Sequence, residues 1–185
     1  MTLVGHGIFG ATIAVVTIPL DARVRSLALA MLAFAALANI PDLHLPYWGH
    51  ERYSISHGVF VNGAIILLFS IPFLLSRRAR RSIGGITVVV GCALAWLSHL
   101  LLDTFYNHGR GLAMFWPFSK GRLALPVPWF ETAKKPLPHF DLHTAKVWSI
   151  ELVSYGVVIV AALLVRHALA RHRGTGPRVD ALNPH

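Results

Sequence analysis

The stretch IGGITVVVGCALAWLSHLLLD, residues 83–103, is an apolar run that closes with a histidine and an aspartate. An α-helix needs roughly 20 apolar residues to cross a bilayer, and this run has that length. An aspartate that follows three leucines is costly at membrane depth unless it has a partner, and such residues usually mark function. The stretch predicts a membrane-spanning helix with a functional site at its end.

Four more apolar blocks flank this run. They are Leu3–Leu20, Val24–Ile40, Gly58–Leu75 and Val147–Ala170. With 55% hydrophobic and only 14% charged residues, the chain is too apolar for an ordinary soluble domain. The pattern predicts an all-α, polytopic membrane protein with about five transmembrane helices, in which residues 1–185 form a single membrane-embedded domain.

Two segments lie outside the predicted spans. Residues 104–146 are expected to form a long extracytoplasmic loop, and residues 171–185 a polar tail. The loop contains many aromatic residues and prolines, including Phe115, Trp116 and Phe118. Tryptophan and tyrosine favour the headgroup layer, so we expect this loop to lie on the bilayer surface.

The basic residues indicate an orientation. The formal net charge is +9, but ten of the 17 Lys and Arg residues fall at positions that share one side if five helices alternate. Two lie between or next to blocks one and two, four lie between blocks three and four, and four lie at the C-terminal end of the chain, where Arg166 is still inside block five. The positive-inside rule then predicts a multi-pass protein of the inner (plasma) membrane with a cytoplasmic C-terminus. The same placement argues against a nucleic-acid partner.

Five candidate site residues fall at the opposite, extracytoplasmic helix ends. They are His6, Asp42, His57, His99 and Asp103. His99 and Asp103 are four apart, which puts both on one helix face. Catalytic zinc takes three protein ligands and a water, so the set predicts a divalent metal site of one to three ions, with zinc preferred. Asp42 or Asp103 can bridge two metals.

Several other residues remain open as ligands, because a lone histidine near a helix end is more often only hydrogen-bonded. These are His44, His50, His108, His139, His143 and Glu151. Arg52 or Arg110 can hold a phosphate oxygen. The lone Cys92 excludes an intrachain disulfide.

Short motifs in a specific order carry a family resemblance. The motifs are Gly5-His6-Gly7, Ile40-Pro41-Asp42-Leu43-His44, Ser54-Ile55-Ser56-His57, Leu97-Ser98-His99-Leu100-Leu101-Leu102-Asp103 and Phe115-Trp116-Pro117-Phe118-Ser119. Together they resemble the LexA-regulated, membrane-bound metal-dependent hydrolase family. The chain departs from that pattern at His44, where the family usually has aspartate, and at Ser56, where it usually has threonine.

The order His, Asp, His, His-x3-Asp is also similar to zinc-dependent phospholipase C and the single-strand-specific zinc nucleases. That resemblance implies His6, Asp42, His57, His99 and Asp103 as ligands, with His108 as a further candidate. A third metal is in doubt, because position 147, four before Glu151, is a valine.

These observations predict a metal-dependent hydrolase that resembles a phospholipase or a phosphodiesterase. A metal-activated water would cleave a phosphoester in its lipid or lipid-linked substrate. Asp42, Asp103 and Arg52 are its predicted catalytic residues, and the bilayer is its partner. One alternative is a metal-binding or transport protein without hydrolytic activity, and another is a purely structural interaction protein. Oligomeric state stays open.

Overall fold

The computed structural model describes residues 1–43, 45–49, 53–106, 111–125, 127, 130–132 and 141–174. These residues form seven α-helices and one short 3-10 helix, Ile40–Asp42. The α-helices are α1 (Leu3–Thr17), α2 (Val24–Ala38), α3 (Tyr53–Ser56), α4 (Val59–Leu75), α5 (Arg77–Ser82), α6 (Ile86–Asp103) and α7 (Leu142–Gly174). The all-α prediction is confirmed for the described residues.

Prolines end the first two apolar helices earlier than predicted. α1 stops at Thr17, and Ile18 is already extended because the residue before Pro19 is disfavoured in helical geometry. α2 stops at Ala38, and Pro41 sits in the following 3-10 turn. The chain therefore turns at Asp42, directly after α2.

The start of α6 is set by two glycines. Gly84 and Gly85 have φ values of 98° and 102°, which L side chains rarely adopt. α6 consequently begins at Ile86, three residues later than predicted. The short helix α5, which carries four arginines, precedes this turn and was not predicted.

The last helix is longer than predicted at both ends. α7 begins at Leu142 and runs to Gly174 over 33 residues, so the predicted loop ends at residue 141 and the first four residues of the predicted tail are helical. The described part of the loop contains no helix. It has an isolated antiparallel bridge between Leu112 and Leu123.

Helices α1 and α6 lie at the centre of the bundle. α1 contacts α2, α6 and α7, and α6 also contacts α2 and α4. The core between them consists of small and aromatic side chains: Ala14, Phe34, Val88 and Ala95. At Gly10, a Cβ would come 2.5 Å from the Phe34 carbonyl oxygen, so the backbones of α1 and α2 pack closely there.

Helix α7 holds α1 at both of its ends. At the start of α1, the Glu151 carboxylate accepts a hydrogen bond from the Thr2 N–H at 2.9 Å and another from the Thr2 hydroxyl. At its end, the buried Arg166 guanidinium donates to the carbonyls of Val15 at 3.0 Å and Ile18 at 2.6 Å. The 15 residues that separate Glu151 from Arg166 rise about 22 Å, which is the length of α1. The two helices therefore run parallel and in register.

Two helices are long and apolar enough to cross a membrane, namely α6 and Leu142–Arg173 of α7. The other apolar helices, α1, α2 and α4, have 15, 15 and 17 residues. Large apolar side chains on α7 are exposed, for example Val153 at 68% and Leu164 at 65%. An exposed apolar surface of this kind suits contact with lipid. The prediction of five spans rests on the three shorter helices and stays a prediction.

Candidate metal centre

The structure brings together five of the predicted site residues, which we call the His/Asp cluster: His6, Asp42, His57, His99 and Asp103. They come from the start of α1, the turn after α2, the residue after α3 and the end of α6. The three imidazoles are fully buried, and the side chains of Asp103 and Asp42 are 3% and 11% exposed. The predicted convergence of these helix ends is therefore present in the fold.

Two nitrogen and two oxygen atoms of the cluster lie close to one another. The Nε2 atoms of His57 and His99 are 3.2 Å apart, and Asp42 Oδ1 lies 3.3 Å and 3.5 Å from them. Asp103 Oδ2 lies 3.6 Å from each nitrogen. Two ligands at the usual zinc–nitrogen distance in a tetrahedron are about 3.3 Å apart. Each of these five distances is close to the spacing of two ligands in a tetrahedral metal site. The close ligand atoms fall into two groups that share His99: His6, Asp42 and His99, and His57, His99 and Asp103.

His6 lies beside this group and shares Asp103 with it. Its Nε2 is 3.2 Å from Asp103 Oδ1, and its ring stacks on His99 with centroids 3.7 Å apart. The Met1 amino group donates to the same Oδ1 at 3.0 Å. Neither ring nitrogen of His6 makes a hydrogen bond among the described residues, although both are buried. Buried polar atoms of this kind are expected to have a partner, and a cation would supply one.

Hydrogen bonds on the far side of two imidazoles fix their tautomers. His99 Nδ1 donates to the Ala38 carbonyl at 2.8 Å. His57 Nδ1 donates to Ser56 Oγ at 2.7 Å, because the Ser56 hydroxyl itself donates to the Gly49 carbonyl at 3.0 Å. In the neutral imidazoles Nε2 then carries no proton and can act as a ligand. Metal-bound histidines are oriented in this way in metalloproteins generally.

The charges of the cluster stabilise one another. Burial alone would raise the pKa of Asp42, but its hydrogen bonds with His57 and His99 outweigh burial and hold that pKa well below its usual range. Burial alone would lower the pKa of His57, but the carboxylates of Asp103 and Asp42 raise it above its usual value. A proton and a metal therefore compete for the same nitrogen of His57.

A buried amide holds the turn that carries His57. Asn62, one turn inside α4, donates from Nδ2 to the carbonyls of Ser56 at 2.7 Å and Gly58 at 2.9 Å. Its Oδ1 accepts a hydrogen bond from Trp96 Nε1 of α6 at 2.7 Å. This network links the His57 turn to the helix that bears His99. Sequence reasoning missed Asn62, although a lone amide inside the block Gly58–Leu75 was the available signal.

Two more residues near the cluster contact His57. Ser56 orients His57, and the N-cap of α4 is Gly58 without a side-chain bond. Tyr53, which was not predicted, stacks on His57 with centroids 3.8 Å apart. Burial, followed by the negative charges of Asp103 and Asp42, raises the pKa of Tyr53. Its phenol therefore stays protonated beside the carboxylates.

The remaining candidates are not part of the cluster as described. Glu151 holds the start of α1 and belongs to neither of the two groups of close ligand atoms found among the described residues. His143 bonds to the Thr132 carbonyl at 3.1 Å and lies 3.5 Å from Glu131. Six predicted residues lie outside the described residues: His44, His50, Arg52, His108, Arg110 and His139.

Comparison with known proteins gives one match. No curated protein and no solved structure matches the chain. One family model matches residues 1–173, nearly the whole chain, and it is the family that the sequence motifs resemble. The similarity in ligand order to zinc-dependent phospholipase C and the zinc nucleases stays a prediction. The chain belongs to the YdjM inner membrane protein family.

Proposed function

We propose that this protein is a membrane-bound metal-dependent hydrolase whose metal centre is the His/Asp cluster. The observation that carries the proposal is the short spacing of imidazole nitrogens and carboxylate oxygens. Nε2 of His57 and Nε2 of His99 are 3.2 Å apart, and one oxygen each of Asp42 and Asp103 lies 3.3–3.6 Å from both nitrogens. A cluster of buried imidazoles and carboxylates at the ends of membrane helices is costly unless it serves a ligand.

The residues present fit a divalent cation. Two carboxylates supply two negative charges, and three imidazoles supply neutral nitrogen ligands of the kind that zinc prefers. The Nδ1 atoms of His57 and His99 already donate to fixed oxygen partners, so their Nε2 atoms can ligate without rearrangement. The two buried ring nitrogens of His6 without hydrogen bonds support the same interpretation.

A first cation would be held by four residues: His57, His99, Asp42 and Asp103. A second cation would be held by His6 and the other oxygen of Asp103. Asp103 could contribute to both sets of ligands, because its Oδ2 lies 3.6 Å from the nitrogens of His57 and His99 and its Oδ1 lies 3.2 Å from Nε2 of His6. When bound, such a cation supplies Lewis acidity and an activated water. The number of ions, between one and three, is part of the proposal.

The chain's own residues have two further tasks. The protonated phenol of Tyr53 donates a hydrogen bond to the Asp103 carboxylate and can hold that carboxylate in position. Ser56 and Asn62 hold His57 in place, so that its nitrogen keeps a fixed position during the reaction. Arg52 and Arg110 remain predicted phosphate contacts outside the described residues.

The substrate class that we propose is a phosphoester in a lipid or lipid-linked molecule. The described part of the segment between α6 and α7 presents Phe118 at 80% exposure, and its ring contacts Phe60 of α4 edge-on at 4.8 Å. The Val59 N–H donates to the Met114 carbonyl at 2.8 Å, which ties this segment to the start of α4 next to His57. An aromatic segment beside the cluster suits a substrate that stays in the bilayer.

The proposed topology has five alternating spans, with the cluster on the extracytoplasmic side and the C-terminus in the cytoplasm. It is supported by the direction of the helices: the cluster takes residues from the starts of α1 and α4 and the ends of α2 and α6. The arginines of α5 and of the end of α7 lie at the opposite helix ends. Positive residues at those connections favour the cytoplasmic side.

Metal transport is the alternative, and the polar residues inside the helices argue against it. A transport path needs free polar groups through the bilayer. The hydroxyls of Thr12, Thr17 and Ser98 instead donate to carbonyls of their own helices, at 2.9, 2.7 and 2.7 Å. Asn62 is engaged by three hydrogen bonds.

The test is a paired measurement of metal and product. The full chain is purified in detergent without chelators, its metals are measured by elemental analysis, and it is incubated with a panel of phospholipids and lipid phosphates. We expect bound zinc or a similar cation, and product that disappears with His57→Ala but persists with His143→Ala. If metal is bound and no substrate is cleaved, the hydrolase proposal is wrong; absence of metal from the wild type would overturn the metal centre as well.

A further inference from the structure

At the end of the bundle opposite the His/Asp cluster, a groove is lined by Arg77, Arg80, Arg81, Gly85 and Ile86. We call it the arginine groove, and its volume is about 440 Å³. We propose that it binds the phosphate headgroup of an anionic membrane lipid. This inference does not depend on the proposed hydrolase function, because it concerns other residues at the other helix ends.

The groove has a concentration of positive charge without an acidic counterpart. Residues 77–81 contain four arginines, and the sequence has no aspartate or glutamate between Glu51 and Asp103. Asp103 belongs to the His/Asp cluster at the other end of the bundle. No ion pair to these arginines occurs among the described residues. Like charges spaced three or four residues apart on a helix repel one another, so a bound anion would stabilise α5.

One arginine of the groove has a fixed position. Arg80 is half-buried, and its Nη1 donates to the Leu74 carbonyl near the end of α4 at 2.8 Å. A guanidinium has five N–H donors, and this bond engages one of them. Arg77 and Arg81 are four apart, on the same side of α5, and both are exposed. Guanidinium groups bind phosphate oxygens with two parallel hydrogen bonds, a geometry that lysine does not offer.

The surface that lines the groove is almost entirely apolar, so the arginines contribute mainly the aliphatic parts of their side chains to it. This favours a lipid over free phosphate. Ile86 is 47% exposed and begins α6, one of the two helices long enough to cross a membrane. At Gly85 an added Cβ would meet no atom within 4 Å, so the space beside the backbone is open. A phosphate between the arginines would place the acyl chains of the same lipid along α6. Basic pockets at membrane helix ends bind anionic headgroups in this manner.

The experiment is native mass spectrometry of the detergent-solubilised, delipidated full chain, titrated separately with phosphatidylglycerol, phosphatidylcholine and inorganic phosphate. We expect one phosphatidylglycerol to bind about tenfold more tightly than phosphatidylcholine, since each basic residue near a membrane surface contributes measurably to the attraction. Inorganic phosphate at the same concentration should not displace the lipid. Displacement by phosphate alone would overturn the assignment to a lipid.

Two variants separate a shaped site from general positive charge. Arg77→Gln/Arg81→Gln leaves Arg80 and its bond to Leu74 in place, and should remove the preference for phosphatidylglycerol. The matched control Arg23→Gln/Arg25→Gln removes the same charge from the start of α2, outside the groove, and should keep the preference. An equal loss in both variants would show that charge alone is responsible and would overturn the proposal. Circular dichroism of each variant confirms that it is folded.

Discussion

The two ends of this helix bundle treat charge in opposite ways. At the cluster end, Asp42 and Asp103 are almost fully buried and lie within 3.6 Å of imidazole nitrogens. At the other end, four arginines on α5 lie mostly exposed, without an acidic partner among the described residues. The charges of the first set are neutralised by neighbouring residues of the protein. The charges of the second set can be neutralised only by groups outside it.

This difference shows what each set of charges is for. Buried charges are retained only when partners or a ligand offset the cost of desolvation. The cluster combines carboxylate oxygens and imidazole nitrogens at short distances, which is compatible with a bound cation. The exposed guanidinium groups pay little desolvation cost and are suited to the phosphate layer of a membrane. Predictions that disturb one end and spare the other therefore test the comparison.

The largest expected effect follows Asp103→Asn. Asp103 contacts His6, His57 and His99, so neutralising it removes both the shared ligand and half of the negative charge of the cluster. Bound metal should fall below about a tenth of the wild-type content, measured by elemental analysis. Asp141→Asn is the matched control, because Asp141 caps the start of α7 through Thr144 and is not a cluster residue. Equal metal content in the two variants would contradict the metal centre.

Much of the cluster could be predicted from the sequence because its residues stand out chemically. His99 and Asp103 interrupt an apolar helix, and the arginine pattern alone placed their helix ends together with those of His6 and Asp42. Apolar block boundaries were right where the sequence itself ends the helix, as at Leu75. They were wrong where backbone geometry decides, as at the two glycines that precede Ile86.

The supporting contacts could not be predicted, because most of them use main-chain atoms or distant residues. The partner of His99 Nδ1 is the Ala38 carbonyl, 61 positions away, and any residue at position 38 would offer the same group. Arg166 was interpreted only as a topology signal, yet it is buried and bonds to the end of α1. The spacing of residues along the chain does not predict such contacts.

The next largest effect is expected at the arginine end, from Arg166→Gln. Loss of the guanidinium leaves the carbonyls of Val15 and Ile18 without their donor in a buried place. The free energy of unfolding, measured with a denaturant, should fall by about 3 kcal/mol. The reason is that hydrogen bonds from charged groups are strong and unsatisfied buried carbonyls are costly. Arg173→Gln, an exposed arginine two turns further on, should be neutral. If both substitutions destabilise the protein equally, Arg166 contributes through its charge and not through its hydrogen bonds to the end of α1.

A smaller effect at the cluster end is expected from Ser56→Ala. The substitution removes the hydroxyl that fixes the tautomer of His57 but leaves all five cluster residues in place. Metal affinity should fall about 10- to 100-fold, as it does when outer partners of metal-bound histidines are removed. Ser56→Thr keeps the hydroxyl and should retain the wild-type affinity in a competition assay with a chelating dye. An unchanged affinity in Ser56→Ala would show that Ser56 does not orient His57.

The smallest expected effect comes from the middle of the bundle, where Gly10 keeps α1 close to α2. A methyl group at Gly10 would meet the Phe34 carbonyl oxygen at 2.5 Å and the Ala38 Cβ at 2.8 Å, so α2 must move away. Such overpacking should lower the free energy of unfolding by about 1–2 kcal/mol. Gly63→Ala is the matched control, because an added Cβ there meets no atom within 4 Å and alanine favours a helix.

The substitution Gly10→Ala also tests whether the two ends of the bundle respond independently. Ala38 supplies the carbonyl that orients His99, so a shift of α2 should weaken metal binding at the cluster. The arginine groove belongs to α5 and the start of α6, and lipid binding there should be unchanged in Gly10→Ala. A parallel loss at both ends would mean that the bundle responds as one unit, and that the two charge sets are not independent.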